Sequence, residues 1–250
     1  MRIALTRGVP STINRCELTH VERVPIDIDR ARAQHDEYER ALESLGCTIV
    51  RIDTADEFPD SVFIEDTAIV IDEVAVITRP GAESRRAETA AVADVLREYR
   101  TLRFIEPPAT IDGGDVLCIG KRIYVGVTPR SNADGVRQLR DHLAPFGYSV
   151  DAVPVRDCLH LKSAVTQIGE ETVLINRAWV DGFEEYEHVD VHPAEPFAAN
   201  ALRIDDALIY SSMFPRTRER LKNVRVVDAS ELAKAEGGVT CCSIVLSCRA

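Results

Sequence analysis

The sequence lacks a long run of apolar residues, and this absence excludes a helix that crosses a bilayer. No run in the 250 residues approaches the ~20 that such a helix needs. Residues 1–7 become charged too early for a secretory signal and are interpreted instead as a first strand. With 45% hydrophobic and 28% charged residues, the composition is that of an ordinary globular protein. We therefore expect residence in the cytoplasm.

An excess of basic residues is also missing. The 30 Lys and Arg residues are outnumbered by 41 Asp and Glu residues, which gives a net charge of −11. Nucleic acids and anionic membranes are bound through basic surfaces, so neither is expected as a partner. The acidic balance is compatible with a cationic small-molecule ligand, although acidity commonly serves solubility.

Cysteines are present, but not in the spacing of a disulfide framework or of a structural zinc site. Their number is odd, their spacing is irregular and the sequence contains no Cys-x-x-Cys pair. Two of them are adjacent, and within a strand adjacent side chains point to opposite faces, so one can be buried while the other faces a cavity. The seven are Cys16, Cys47, Cys118, Cys158, Cys241, Cys242 and Cys248.

What the sequence does contain is a repeated pattern of a strand, a turn, a second strand and a helix. An amphipathic helix is predicted at residues 29–45, followed by helices at residues 84–99 and 131–143, with Ser131 as the N-cap of the last. The repeated strands are predicted in residues 63–78, 113–127, 160–175 and 199–210, and a final strand begins at residue 241.

The spacing of this pattern favours a ring of similar units. Equivalent positions, which are Asp66, Asp115, Ser163, Asn200 and Cys241, are separated by 49, 48, 37 and 41 residues. Small units that cannot bury their own apolar faces close around an axis. The five polar residues would then meet in one cavity near that axis. An ordinary α+β domain with unrelated hairpins is the alternative that spacing alone leaves open.

Cys241 is the candidate nucleophile, because it follows two glycines and a threonine at the start of the predicted last strand. A thiol needs a nearby cation or histidine to become a thiolate. Of six histidines, only His160 enters a repeated strand, predicted at residues 158–163, where alternation places Cys158, His160 and Lys162 on one face. A buried structural histidine is the alternative interpretation.

Acidic residues supply the remaining chemistry. A catalytic histidine is usually oriented by a carboxylate, and Asp112 and Asp115 flank a Gly-Gly pair. Asp60, Glu65 and Asp66 would be costly to bury unpaired, and a guanidinium would satisfy them through bidentate hydrogen bonds. Solvated positions at a strand edge are the alternative. Three arginines near helix or strand ends favour an anionic group on the ligand, with ordinary surface arginines as the alternative: Arg85, Arg86 and Arg130.

Taken together, these residues resemble the dimethylarginine dimethylaminohydrolase family, within the guanidino-group-modifying pentein superfamily. The similarity extends over almost the whole chain and consists of five motifs in order. They are FIEDTA at 63–68, ITRPGA at 77–82 with SRR at 84–86, DGGDV at 112–116, HLKS at 160–163 and TCCS at 240–243.

The resemblance implies a fold and a set of roles. The fold is a five-bladed α/β propeller of ββαβ-type repeats, a single catalytic domain over residues 1–250 with its active site on the pseudo-fivefold axis. Cys241 is then the nucleophile, His160 the general acid and base, and Asp112 the acid that orients it, while Cys242 is structural. The substrate-binding positions that it implies are Leu18, Asp60, Glu65, Asp66, Arg85, Arg130 and Ala235.

The implied reaction is hydrolysis of Nω-methylated L-arginine to L-citrulline and a methylamine through a covalent thiouronium on Cys241. The resemblance implies no metal and no organic cofactor, and a homodimer is possible. Alternatives within the class are an arginine deiminase, for which an extra helical domain would not fit into 250 residues, an amidinotransferase, and a related guanidino hydrolase. A non-catalytic propeller that binds other macromolecules is the alternative of a different class, and it predicts no assembled Cys/His/acid set.

Overall fold

The computed structural model describes residues 1–247, which form a ring of five three-stranded sheets. In each sheet the middle strand is antiparallel to the strand nearest the axis and parallel to the outer one. This topology repeats around the ring, so the predicted five-bladed α/β propeller is confirmed. Cys248, which was counted among the cysteines, lies outside the described residues.

The strands are, in chain order, β1 (Arg2–Arg7), β2 (Cys47–Ile52), β3 (Ala68–Val70), β4 (Val74–Ile77), β5 (Thr101–Phe104), β6 (Val116–Ile119), β7 (Arg122–Val127), β8 (Ser149–Pro154), β9 (Val165–Gln167), β10 (Thr172–Ile175), β11 (Glu187–Asp190), β12 (Ala201–Ile204), β13 (Ala207–Ser211), β14 (Val224–Val227) and β15 (Ile244–Ser247). The helices are α1 (Ile28–Ser44), α2 (Thr89–Leu96), α3 (Ala133–Leu143), α4 (Leu161–Ala164), α5 (Pro215–Arg218) and α6 (Ser230–Ala233).

The two ends of the chain close the ring. Strand β1 pairs with β15 in antiparallel register, with Leu5 opposite Ile244, and pairs with β2 in parallel register on its other side. The first unit is therefore assembled from residues more than 190 positions apart. The other four units are β3–β5, β6–β8, β9–β11 and β12–β14.

The apolar core lies between neighbouring units. Within the described chain it divides into five clusters, and each cluster joins side chains of two successive sheets. Between the first two units, for example, Leu5 and Ile244 pack with Ile77 and with Val92 of α2. A three-stranded sheet cannot bury its own faces, so each unit depends on both of its neighbours.

The predicted helices are largely confirmed. Helix α1 begins after Asp27, whose side chain accepts a hydrogen bond from the Arg30 N–H, and is followed by Gly46 at φ +83°. The predicted helix at residues 84–99 is a 3₁₀ segment, Glu83–Glu88, that continues into α2. Helix α3 is capped by Asn132 and not by Ser131. Among residues 1–247, no helix combines the length and apolar character needed to span a bilayer.

The predicted starts of the repeated strands were wrong. A helical turn precedes the strand in three units, at Ile64–Thr67, Gly113–Asp115 and α4, and the strand nearest the axis is only three or four residues long. His160 is consequently the N-cap of α4, so the predicted alternation of Cys158, His160 and Lys162 along one strand face does not exist. Cys241 and Cys242 likewise lie in a turn before β15. Apolar alternation cannot locate these boundaries, because both the turns and the strands are buried.

Candidate active site

The equivalent turns of the five units meet at the axis, where hydrogen bonds link each unit to the next. Five of them, one at each junction, close a circle, and each is donated by the turn of one unit to the turn of the preceding unit. They are Gly114 N–H to Asp66 Oδ1 (2.8 Å), Leu161 N–H to Asp115 Oδ1 (3.0 Å), Asn200 Nδ2 to Lys162 O (3.1 Å), Thr240 N–H to Asn200 Oδ1 (3.1 Å) and Glu65 N–H to Cys241 O (3.1 Å).

The Gly-Gly pair is required because the turns approach one another closely. A Cβ on Gly113 would lie 2.0 Å from the Glu65 carbonyl oxygen, and one on Gly114 would lie 2.5 Å from His160 Nδ1. Real Cβ atoms do not come this close, so a side chain at either position would push the turns apart. The pair therefore serves the packing of the axis and is more than an ordinary loop turn.

Cys241 and His160 line one narrow cavity of about 20 Å³ at the axis. The sequence-predicted residues Asp112, Leu18 and Glu65 do not line it: Asp112 is fully buried behind His160, and the other two face elsewhere. A cysteine, a histidine and an acid in one cavity, here Cys241, His160 and Asp66, are not expected of a non-catalytic propeller. The other predicted residues in the cavity wall are Asp60, Asp66, Arg85, Arg130 and Ala235.

His160 is held by buried carboxylates. Its Nε2 lies 3.2 Å from Asp112 Oδ2, and its Nδ1 lies 4.0 Å from Asp66 Oδ1. Burial on its own lowers the pKa of an imidazole, but here the negative charges of Asp66, Asp115 and Asp112 outweigh it. The pKa of His160 rises to about 9 as a result. The imidazole is therefore protonated near neutral pH and can act as a general acid.

Asp66 remains a carboxylate despite its burial. Desolvation opposes its ionisation, but the charges of His160 and Arg85, together with hydrogen bonds from Arg85 and the Gly114 N–H, lower its pKa to about 2. Arg85 Nη1 lies 2.5 Å from Asp66 Oδ2. The remaining Arg85 donors contact Glu88 and the Phe63 carbonyl oxygen, so this guanidinium is largely occupied by the protein itself.

The Cys241 sulfur is a neutral thiol in the same surroundings. Burial, followed by the negative charges of Glu65 and Asp66, raises the pKa of Cys241 to about 12. The Gly238 N–H donates to Sγ over 3.3 Å and partly offsets this rise. A thiol with such a pKa needs an additional positive charge beside it before it can become a nucleophile.

Glu65 lies on the other side of the circle of turns. Its carboxylate contacts Lys162 Nζ at 2.5 Å and Thr240 Oγ1 at 2.9 Å, and it borders a separate polar cavity of about 350 Å³. Sequence reasoning placed Lys162 only on a strand face and missed this ion pair. The HLKS motif contains this lysine, but nothing in the motif indicates that its partner is an acid 97 residues earlier in the chain.

A segment at residues 17–20 covers the cavity. The Glu17 N–H donates to both oxygens of Asp60 at 3.2 Å. The N–H groups of Thr19 and His20 donate to the carboxylate of Glu236 at 2.8 and 2.5 Å. Leu18 packs against the apolar cluster between the first and fifth units. Sequence reasoning missed Glu17 and Glu236, because neither belongs to a motif.

Cys241 also borders a second, mainly apolar cavity of about 190 Å³. This cavity shares Leu159, Glu236 and Gly237 with the narrow one, so the sulfur lies where the two meet. Its apolar lining includes Val21, Phe197, Met213, Phe214 and Val239.

Comparisons with known proteins agree with one another. The family model described as "N,N dimethylarginine dimethylhydrolase, eukaryotic" matches residues 11–191. The N(G),N(G)-dimethylarginine dimethylaminohydrolase of Streptomyces coelicolor is 44% identical over 248 residues, which cover 97% of this chain and 96% of that protein.

Solved structures extend the agreement to the fold. A dimethylarginine dimethylaminohydrolase from Pseudomonas aeruginosa, solved as a cysteine-to-serine mutant with citrulline, has a TM-score of 0.93 at 32% identity and covers 97% of this chain and 98% of its own. A histidine-to-glycine mutant of dimethylarginine dimethylaminohydrolase, solved as an adduct with S-methyl-L-thiocitrulline, has a TM-score of 0.92 at 31% identity, with 98% and 100% covered.

We predict that Glu65→Gln lowers the pKa of Cys241. After burial, the carboxylate of Glu65 is the group that raises this pKa most. The rate of alkylation by iodoacetamide at pH 8, followed by mass spectrometry of the Cys241 peptide, should rise about tenfold for each unit by which the pKa falls. Glu231→Gln, a buried glutamate that is not among the charges acting on the thiol, should leave the rate unchanged. An unchanged rate in Glu65→Gln would contradict the electrostatic account of the thiol.

Proposed function

Because the chain belongs to the dimethylarginine dimethylaminohydrolase family, we propose that it hydrolyses Nω-methylated L-arginine to L-citrulline and a methylamine, with Cys241 as the nucleophile. The observation that carries this proposal is the single cavity shared by the Cys241 thiol, the His160 imidazolium and the carboxylate of Asp66. The citrulline complex and the thiocitrulline adduct of the relatives support the same product and a covalent step.

Substrate binding follows from the charges in the cavity wall. Asp66 and Asp60 are the acceptors for a guanidinium, while Arg85 and Arg130 are the cations for the α-carboxylate. Arg130 is the less occupied arginine, since its contacts to Asp112 and Thr19 are 3.9 and 3.3 Å long. The backbone of Leu18 in the covering segment and of Ala235 in the wall would contact the α-amino group or cover it. Glu65 contributes through its charge near the thiol and not through contact with the substrate.

The covering segment must move before a substrate enters. A cavity of about 20 Å³ holds no more than one water, and the Asp60 carboxylate is occupied by the Glu17 N–H. The guanidinium of an arginine derivative would replace this backbone donor. Closure over the substrate would then exclude water from the first step.

The positive charge of the substrate converts the Cys241 thiol into a nucleophilic thiolate. A guanidinium beside the sulfur supplies the positive charge that the resting site lacks, which lowers the pKa of Cys241 and releases its proton to solvent. The thiolate then attacks the guanidinium carbon, and the His160 imidazolium protonates the departing amine. Neutral His160 next takes one proton from the water that attacks the thiouronium carbon. The C–S bond then breaks, the remaining hydroxyl proton passes to the sulfur, and citrulline is released from the neutral Cys241 thiol.

The apolar cavity beside Cys241 supports methylated arginine as the substrate in preference to arginine. N-methyl groups placed next to the sulfur can be removed from water there, at about 0.8 kcal/mol for each buried carbon. Unmethylated arginine would present N–H groups to the same apolar walls, where they lose hydrogen bonds to water.

We also propose one catalytic domain over residues 1–250 and residence in the cytoplasm. Pairing of β1 with β15 makes the first unit depend on both chain ends, which supports a single cooperative unit. The six cysteines in the described part of the chain are free, which suits a reducing compartment.

We propose that the protein is a homodimer. Phe104 at the end of β5 and Val226 in β14 are 45% and 38% exposed on outer strands of their sheets. Exposed apolar strand edges are surfaces through which sheets associate. Light scattering of the purified protein should give twice the mass of the chain, and the mass of a single chain would refute the dimer.

We predict that the wild type forms citrulline from asymmetric dimethylarginine, that Cys241→Ser abolishes this activity and that Cys242→Ala largely keeps it. The two cysteines are adjacent, but Cys242 is 2% exposed and packs in an apolar cluster, whereas Cys241 faces the cavity. Colorimetric citrulline detection measures the outcome, with circular dichroism as the control for folding. Equal loss in two folded variants would leave Cys241 without its assigned role.

We predict that kcat for dimethylarginine falls as the pH rises through the raised pKa of His160, because the imidazolium that protonates the departing amine is present below this pKa and is lost above it. Asp112→Asn removes a negative charge that raises this pKa, so the decline should move to lower pH, together with a lower maximal rate. The pH profile of both proteins is the measurement. A decline at the same pH in both would show that another group sets it.

A further inference from the structure

Asp115 is a buried carboxylate whose charge helps to raise the pKa of His160 but to which the proposed mechanism gives no other role. It is fully buried beneath His160 and accepts three hydrogen bonds: from the Leu161 N–H at 3.0 Å, from Ser131 Oγ at 2.6 Å and from Thr128 Oγ1 at 2.7 Å. All three donors are uncharged. A buried carboxylate with neutral partners is costly compared with an apolar side chain, so its place in the core calls for a reason beyond packing.

The first of the three contacts fixes the backbone of the catalytic histidine. The Leu161 N–H belongs to the peptide group that directly follows His160. Its hydrogen bond to Asp115 Oδ1 therefore sets the position of the main chain from which the imidazole projects. Asp115 itself comes from the neighbouring unit, in the turn Gly113–Asp115.

The second contact fixes the acid that orients this histidine. Ser131 Oγ donates to Asp115 Oδ2 and accepts a hydrogen bond from the Asp112 N–H at 3.0 Å. One hydroxyl thus connects Asp115 to the main chain of Asp112. Both partners of the 3.2 Å contact between His160 Nε2 and Asp112 Oδ2 are consequently held by the same carboxylate.

The third contact fixes the loop that carries Arg130. Thr128 Oγ1 donates to Asp115 Oδ2 and accepts from the N–H groups of Arg130 at 3.1 Å and Ser131 at 3.3 Å. The hydroxyl closes a tight turn at residues 128–131. This turn directs Arg130 into the cavity, where the α-carboxylate of the substrate is proposed to bind.

We infer that Asp115, acting through two hydroxyls, is a positioning residue for the reaction. Its serine arm, formed by Ser131, aligns His160 with Asp112 and so sets the rate of the chemical steps. Its threonine arm, formed by Thr128, aligns Arg130 and so sets the affinity for the substrate. The inference rests on the proposed function, because the two arms are distinguished by their separate effects on kcat and KM for dimethylarginine.

The two arms are tested separately by removing one hydroxyl at a time. Ser131→Ala should lower kcat for dimethylarginine by about 10- to 100-fold and leave KM within about twofold, because a misaligned general acid slows the reaction without weakening binding. It should also lower the pKa of His160, measured by NMR titration of the substrate-free protein. Thr128→Val should raise KM by about tenfold and leave kcat within about twofold.

Two further variants separate positioning from stability. Thr128→Ser keeps the hydroxyl and should keep the wild-type KM. Thr217→Val removes a fully buried threonine hydroxyl that accepts from the His192 N–H, at a residue that does not line the catalytic cavity. It should lower the midpoint of urea unfolding while leaving kcat and KM unchanged.

The inference is overturned if Ser131→Ala and Thr128→Val change kcat and KM in the same way, or only in proportion to their loss of folded protein. An inert wild type would instead refute the proposed function. In that case the NMR titration decides the serine arm by itself: a lowered pKa of His160 in Ser131→Ala supports it, and an unchanged pKa refutes it.

Discussion

Five hydrogen bonds that run from unit to unit around the axis determine where every reacting group lies. Each one joins the turn of one unit to the turn of the next, so the circle closes only when all five units are in place. The hydrogen bond from the Glu65 N–H to the Cys241 carbonyl oxygen closes this circle, because it joins the first of the axial turns along the chain to the last. Because the strands behind these turns are only three or four residues long, the turns themselves carry the chemistry.

The same acids that hold the turns together set the reactivity of the site. Carboxylates near the axis raise the pKa of His160 and keep it protonated. Burial, together with the same kind of charge, raises the pKa of Cys241 and keeps it neutral. The resting protein therefore has a good acid and a poor nucleophile. A cationic substrate reverses the second effect without abolishing the first. It adds positive charge beside the sulfur, while Asp112 and Asp115 keep their places behind the imidazole. Selectivity for guanidinium compounds follows from this balance.

Much of this arrangement could be predicted from the sequence, because it depends on residue types at a repeated spacing. The period aligned five residues that were expected to meet in one cavity, and this expectation is only partly correct. Asp66 and Cys241 line the narrow cavity, Ser163 and Asn200 line the apolar one, and Asp115 is fully buried. Finer placement could not be predicted. Ser131 was interpreted as a helix cap, but its hydroxyl points inward to Asp115. Glu65 was grouped with its neighbour Asp66, although a helical turn sends the two side chains to different cavities. A pattern of polar residues specifies neither the turn nor the partner that a distant segment brings to it.

The account depends above all on the sulfur of Cys241 forming a bond to the guanidinium carbon of the substrate. Rapid acid quenching of the protein during turnover of dimethylarginine, followed by peptide mass spectrometry, tests this most directly. The account predicts a thiouronium adduct on the sulfur of Cys241 that appears before citrulline accumulates and disappears as the substrate is consumed. An adduct on Cys242 or on another cysteine, or steady turnover with no adduct on any cysteine, would contradict it.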